Sequence, residues 1–135
     1  MKELHILLGE DEKDWFSFYQ GQIWRSFREN SSETTVLFCR ELIQKNGKKG
    51  FHPAILNQLG RRLEEMDKAD DALALYGLNT ELYPRIFQLF NILAKAYLKT
   101  GKTDLARKAC QRSLELKPDN SEAAELLEEI IKIKS

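Results

Sequence analysis

With 135 residues the chain is long enough to bury one core, but too short to hold a catalytic domain beside an accessory one. Twenty-one Lys and Arg balance twenty-one Asp and Glu, so no net field gathers nucleic acid or an anionic membrane surface, and charged recognition has to come from a local patch. Three Pro and seven Gly in a chain that is 31% charged and 42% apolar fit a helical globular protein, not a disordered or turn-rich β one.

Met1 to Glu10 carries Lys2 but an apolar stretch of only Ile6, Leu7 and Leu8. That falls short of a signal-peptide core or a membrane span, so a cytoplasmic location is expected. Asp14 to Glu29 then crowds together Trp15, Phe16, Phe18, Tyr19, Trp24 and Phe27. At helical spacing Trp15, Tyr19, Ile23 and Phe27 form a stripe that packs on the helices behind it. Phe16 and Trp24 do not fit that stripe, so a second reading makes Trp15, Phe16 and Trp24 a surface for a partner or for a second copy of the chain. Next, Ser31 or Ser32 caps a helix through Val36, Leu37, Cys39, Leu42 and Ile43, which Asn46-Gly47 ends. Cys39 and Cys110 both fall in helical patterns and read as small buried hydrophobes rather than a disulfide framework.

Downstream the chain repeats itself. An offset of 34 places Asn57 on Asn91, Leu59 on Leu93, Lys68 on Lys102, Asp70 on Asp104, Ala72 on Ala106, Glu81 on Glu115, Leu82 on Leu116 and Pro84 on Pro118. Helices are predicted over 53–66, 69–82, 86–99 and 103–116, with Pro53 in the first turn of one and Pro84 and Pro118 just past the ends of others. Gly60 with Ala72, and Ala94 with Ala106, are the small residues that let paired helices approach, while bulky neighbours a turn away fill the flanks. Gly101 makes the turn inside the second pair and Asp67 the equivalent turn in the first. Asp119, Asn120 or Ser121 caps a last helix through Ala123, Ala124, Leu127, Ile130 and Ile131. It carries Glu128 at the register of Gly60 and Ala94, so this helix is expected to serve as a solvated cap.

The residues Leu56, Leu59-Gly60, Leu63, Ala72, Tyr76, Asn79 and Pro84, then Phe90, Leu93-Ala94, Tyr97, Ala106, Cys110, Ser113 and Pro118, resemble two consecutive tetratricopeptide repeats. Asn79 and Ser113 depart from that pattern, standing where a small Ala is usual, so looser contacts are expected there. The resemblance implies an all-α fold, a TPR-like superhelix or solenoid of about seven helices. Its expected divisions are an aromatic segment and capping helix over 1–50, two hairpins over 51–118 and a capping helix over 119–135. The run from Thr34 to Lys117 also resembles the helical tail that follows the catalytic domain of some bacterial serine hydrolases, which would make this chain such a tail standing alone.

No catalytic constellation is present in the sequence. There is no Gly-x-Ser-x-Gly elbow and no phosphate-cradling glycine loop, and His5 and His52 are the only imidazoles, without a partner at metal-ligand spacing. His52 reads as a helix-entry residue; Arg40 points away from Cys39 on a helix and does not activate it. Glu64-Glu65 and Glu128-Glu129 read as solvated helix faces. The expectation is a binding protein that is not an enzyme and needs no cofactor or metal. Its partner would be a protein or peptide, with no nucleic acid and no membrane. The first helices of stacked hairpins line a concave face, which places Asn57, Arg61 and Glu64 beside Asn91, Lys95 and Lys99, with Glu122 and Glu125 at the edge. There an amide bonds a peptide backbone and a cation meets a carboxylate. The carboxylate clamp by which some tetratricopeptide proteins hold chaperone tails is not reproduced, because Ile92 and Leu126 stand where it wants polar or basic side chains.

Overall fold

A computed structural model describes the backbone of residues 12–46 and 52–134 and the side chains of 18–45 and 52–133. Within these bounds the chain forms α1 (Glu12–Glu29), α2 (Ser32–Asn46), α3 (Pro53–Glu65), α4 (Ala69–Leu82), α5 (Phe87–Lys99), α6 (Thr103–Leu116) and α7 (Ser121–Lys134). The described residues contain no strand. Helix follows helix as an all-α superhelix: α3 pairs with α4 and α5 with α6, α4 packs on α5, and α7 lies against both α5 and α6. Upstream, α1 packs on α2 and α3, and α2 reaches α4.

Local chemistry sets the helix ends. Ser31 Oγ accepts the Thr34 N–H at the start of α2, and His52 Nδ1 accepts the Ala54 N–H ahead of Pro53 at the start of α3. Both hairpin turns are built alike. The Asp67 N–H bonds the Glu64 carbonyl and the Lys68 N–H bonds the Leu63 carbonyl; Gly101 and Lys102 repeat this on Leu98 and Tyr97. Such a closure needs a left-handed residue, and Asp67 sits at φ 61° where Gly101 sits at 78°. Asp tolerates that region better than most side chains, which is how the two turns keep one geometry with different residues.

The close approach inside the first hairpin involves Tyr76 more than Ala72. A methyl group at Gly60 would lie 2.3 Å from the Tyr76 ring, so only glycine lets this phenol cross between α3 and α4. One repeat on, the same pair is Ala94 and Cys110, both buried: the small side chain gains a carbon where the large one shrinks. Tyr19, Ile23, Ile55, Leu56, Leu59, Leu63, Leu75 and Leu78 fill the main core, while Ala94, Ala106, Cys110, Leu126 and Ile130 make a smaller one under α7. Tyr97 packs against both.

Two expectations change here. Asn79 and Ser113 are not loose contacts: both are fully buried and each ties its hairpin shut with polar bonds. The aromatic stripe holds for Tyr19, Ile23 and Phe27, all buried in the main core, whereas the side chains of Trp15 and Phe16 lie outside the described residues.

Candidate functional site

The first helices of the two hairpins, α3 and α5, flank a cavity of about 190 Å³ lined by Asn57, Arg61, Glu64, Tyr76, Ile92, Lys95, Ala96 and Lys99. Spacings of three and four put Asn57, Arg61 and Glu64 on one face of α3, and Ile92, Lys95, Ala96 and Lys99 on the facing side of α5. Tyr76 reaches the cavity from α4 because Gly60 leaves room for its ring. Burial first, and then the neighbouring Glu64 carboxylate, push its phenol well above its ordinary range.

Ion pairs stitch neighbouring units across the cavity. Lys99 Nζ lies 3.1 Å from Glu64 Oε2, and Lys95 pairs with Glu122 of α7. Arg61, by contrast, pairs with no carboxylate among the described residues. Asn57 accepts a hydrogen bond on Oδ1 from Asn79 at 3.0 Å, which leaves its amide N–H groups without an acceptor among the described residues. The walls therefore offer spare donors above a partly apolar floor of Tyr76, Ile92 and Ala96.

Residues 87–120 match the family model described as the tetratricopeptide repeat. That segment is the whole second unit, from the start of α5 to the residue before α7. No curated protein sequence matches the chain. Among solved structures, the chain is similar to the first TPR of Spaghetti (RPAP3) bound to the HSP90 peptide SRMEEVD, with 18% identity and a TM-score of 0.60 over 91% of this chain and 94% of that one. It is also similar to the Yersinia enterocolitica type III secretion chaperone SycD in complex with a peptide of the translocator YopD, at 15% identity and a TM-score of 0.59, again covering 91% and 94%. The CopN–Scc3 complex gives 18% identity and 0.54 over 99% of this chain and 75% of that one. At such identities these likenesses establish a shared fold, and the tetratricopeptide match itself covers residues 87–120. None of them connects the chain to serine hydrolase tails.

The two hairpins use one polar clip, and it explains the repeated asparagines. In the first unit, Asn79 Nδ2 donates to the Pro53 carbonyl at 2.9 Å and to Asn57 Oδ1 at 3.0 Å. In the second, Ser113 Oγ, at the equivalent position, lies 3.0 Å from the Phe87 carbonyl and 2.6 Å from Asn91 Oδ1. Asn120 extends the second clip: its Nδ2 donates to Asn91 Oδ1 and Ser113 Oγ, while its Oδ1 accepts the Ala123 N–H and caps α7. Ile86 stands at the corresponding place in the first unit, and there the buried Asn79 Oδ1 has no partner among the described residues.

This corrects the expected role of Asn91. It is 2% exposed and its amide is committed to Asn120 and Glu122, so it supports the groove from behind instead of lining it. Asn57, Arg61, Glu64, Lys95 and Lys99 line one cavity. Tyr76, Ile92 and Ala96 were missed. Tyr76 reads only as one residue of the repeat pattern, and its sequence signal is the glycine at position 60, which makes room for a ring arriving from another helix.

Trp24 changes too: it is half-buried, packs on the main core and carries the Arg62 guanidinium 4.9 Å over its ring, so it is not a bare partner surface. Burial pushes the Cys39 thiol up to about 12 and the Cys110 thiol up to about 11, which suits packing and not nucleophilic chemistry.

Proposed function

We propose that this chain is a non-catalytic binding scaffold of the tetratricopeptide type that holds a protein segment or peptide in the groove between α3 and α5. One observation carries the reading: five of the six groove residues expected from the sequence, Asn57, Arg61, Glu64, Lys95 and Lys99 but not Asn91, border a single cavity with spare donors. Extended peptide supplies backbone carbonyls for such donors and side chains for the floor. Two proteins of the same fold, by their descriptions, hold peptides. In this reading residues 51–118 form the binding unit, 1–50 cap it on one side and 119–135 on the other. The protein works in the cytoplasm without a cofactor, and neither nucleic acid nor membrane is its partner.

Selection of random peptides displayed on phage tests this directly. The native protein is expected to enrich peptides whose affinity falls at least tenfold in an Arg61→Ala, Lys99→Ala variant with unchanged circular dichroism. Failure to enrich any peptide, or enriched peptides indifferent to the double substitution, would sink the reading.

A further inference from the structure

The helix α7 repeats the first helices of the hairpins, and its neighbours among the described residues are α5 and α6 alone. Two steps of the 34-residue offset carry Leu56, Leu59 and Leu63 of α3 onto Ala124, Leu127 and Ile131. In α3 those leucines are fully buried in the main core, whereas on α7 Ala124 is exposed, Leu127 half-buried and Ile131 59% exposed. Two carboxylates lie in the same register. Glu125 stands where Asn57 and Asn91 meet the second helix of their hairpins through Asn79 and Ser113, and Glu128 stands where Gly60 meets the Tyr76 ring. Both are exposed and neither has a hydrogen bond or ion pair among the described residues.

We propose that this open face of α7 docks a basic amphipathic helix of a partner protein, laid antiparallel as α4 lies on α3. Apolar residues of that helix cover Leu127 and Ile131, and its Lys or Arg side chains stand opposite Glu125 and Glu128. The molecule itself shows twice what covers such a face: a helix whose Ala72, Tyr76 and Asn79, or Ala106, Cys110 and Ser113, are buried at spacings of four and three. On α7 the chemistry of that stripe has to change. A carboxylate only accepts, so the place of Asn79 or Ser113 needs a donor, and a covered Glu128 is stabilised by a cation, not by a ring or a thiol. A neutral helix would leave both carboxylates desolvated and unpaired, and an acidic one would repel them. The proposal uses none of the groove residues and does not depend on peptide binding there.

Stapled helical peptides test the docking face. They share an apolar face of leucines and carry Lys, Gln or Glu at the places equivalent to Cys110 and Ser113. Binding to the whole protein is read by anisotropy and located by the amide shifts of Leu127, Glu128 and Ile131 in nitrogen-15 NMR spectra. The Lys peptide is expected to bind at least about tenfold more tightly than the Gln peptide, and the Glu peptide more weakly than either. Glu125→Gln combined with Glu128→Gln should remove that preference, and Ile131→Asp should weaken the Lys peptide about tenfold or more, with circular dichroism unchanged in both variants because these side chains are exposed. Equal affinity for the Lys and Gln peptides, shifts confined to the groove between α3 and α5, or no binding at all would each overturn the proposal. Sedimentation of the protein without peptide supplies a further check: a dimer that Ile131→Asp dissolves would assign the face to a second copy of the chain and overturn the partner helix.

Discussion

Gly60 and Tyr76 show how one missing carbon shapes both stability and the groove. Adding a β-carbon at Gly60 drives it to 2.3 Å from a ring held between two helices, an overlap that small rotamer changes cannot relieve. Gly60→Ala is therefore expected to destabilise the protein by about 1–3 kcal/mol in urea titration. The second unit already contains the solution, Ala94 with Cys110, so Gly60→Ala combined with Tyr76→Cys should lose less than the two single changes added together. An additive double-mutant cycle would refute the direct Gly60–Tyr76 coupling. Burial also sets a pH signature. Burial pushes Cys39, Cys110 and Tyr83 up to about 12, 11 and 12 in the folded chain, from ordinary values of 9.0 for the thiols and 10.0 for the phenol. Between those limits the unfolded chain has released protons that the folded one still holds. Stability is thus fully present below pH 9 and falls as pH rises toward 12. Equilibrium unfolding followed from pH 7 upward should show that one-sided loss, with the native thiols labelling on the order of a hundredfold more slowly than in denaturant at pH 8.

Between helices, the clip that pairs position 79 with 57, and 113 with 91, decides how each hairpin closes. The two clips are not equal. Asn120 bonds Asn91 and Ser113, and it also caps α7, whereas Asn79 makes two bonds and buries an unpartnered oxygen. Removing a buried polar group whose partners stay behind costs more than removing one that is already half satisfied. Asn120→Ala is accordingly expected to cost about 1–3 kcal/mol, and Asn79→Ala, which restores the small residue usual in the repeat, clearly less. Chemical denaturation of the two variants compares them, and an Asn79→Ala loss equal to the other would contradict the ranking. The same elements show how the repeat misled a residue-level reading. Asn57 and Asn91 recur because a clip needs an acceptor at that register, and recurrence by itself does not tell a structural bond from a ligand-facing one.

Across the molecule, stability is arranged as stacked neighbours with two cores, a large one reaching from α1 to α5 and a small one beneath α7. Tyr97 is the half-buried residue that touches both. In a linear array cooperativity depends on such interfaces, so Tyr97→Ala should uncouple them and turn a single unfolding transition into two. Fluorescence of Trp24, which packs on the large core, would then report a later transition than far-ultraviolet circular dichroism, and coincident curves would contradict the coupling role. The ion pairs between units, Lys99 with Glu64 and Lys102 with Asp70, are mostly exposed and contribute about 0–1 kcal/mol each, so packing rather than charge holds the stack together.

The helices, their turns and the stacking of two equivalent hairpins were legible from the sequence, because each depends on local or periodic chemistry. Glycine at 101 and aspartate at 67 mark left-handed turns, apolar spacing marks buried faces, and an offset of 34 marks units that must share a geometry. The same register put Asn57, Arg61, Glu64, Lys95 and Lys99 on one side. Only the tertiary structure decided which of them are spent. Asn91 turned inward because Ser113 and Asn120, 22 and 29 residues away, converge on its amide. Lys95 and Lys99 met carboxylates on other helices, and Tyr76 entered the groove through a gap opened by Gly60. These outcomes depend on distances between separate helices, which periodicity along the chain does not encode.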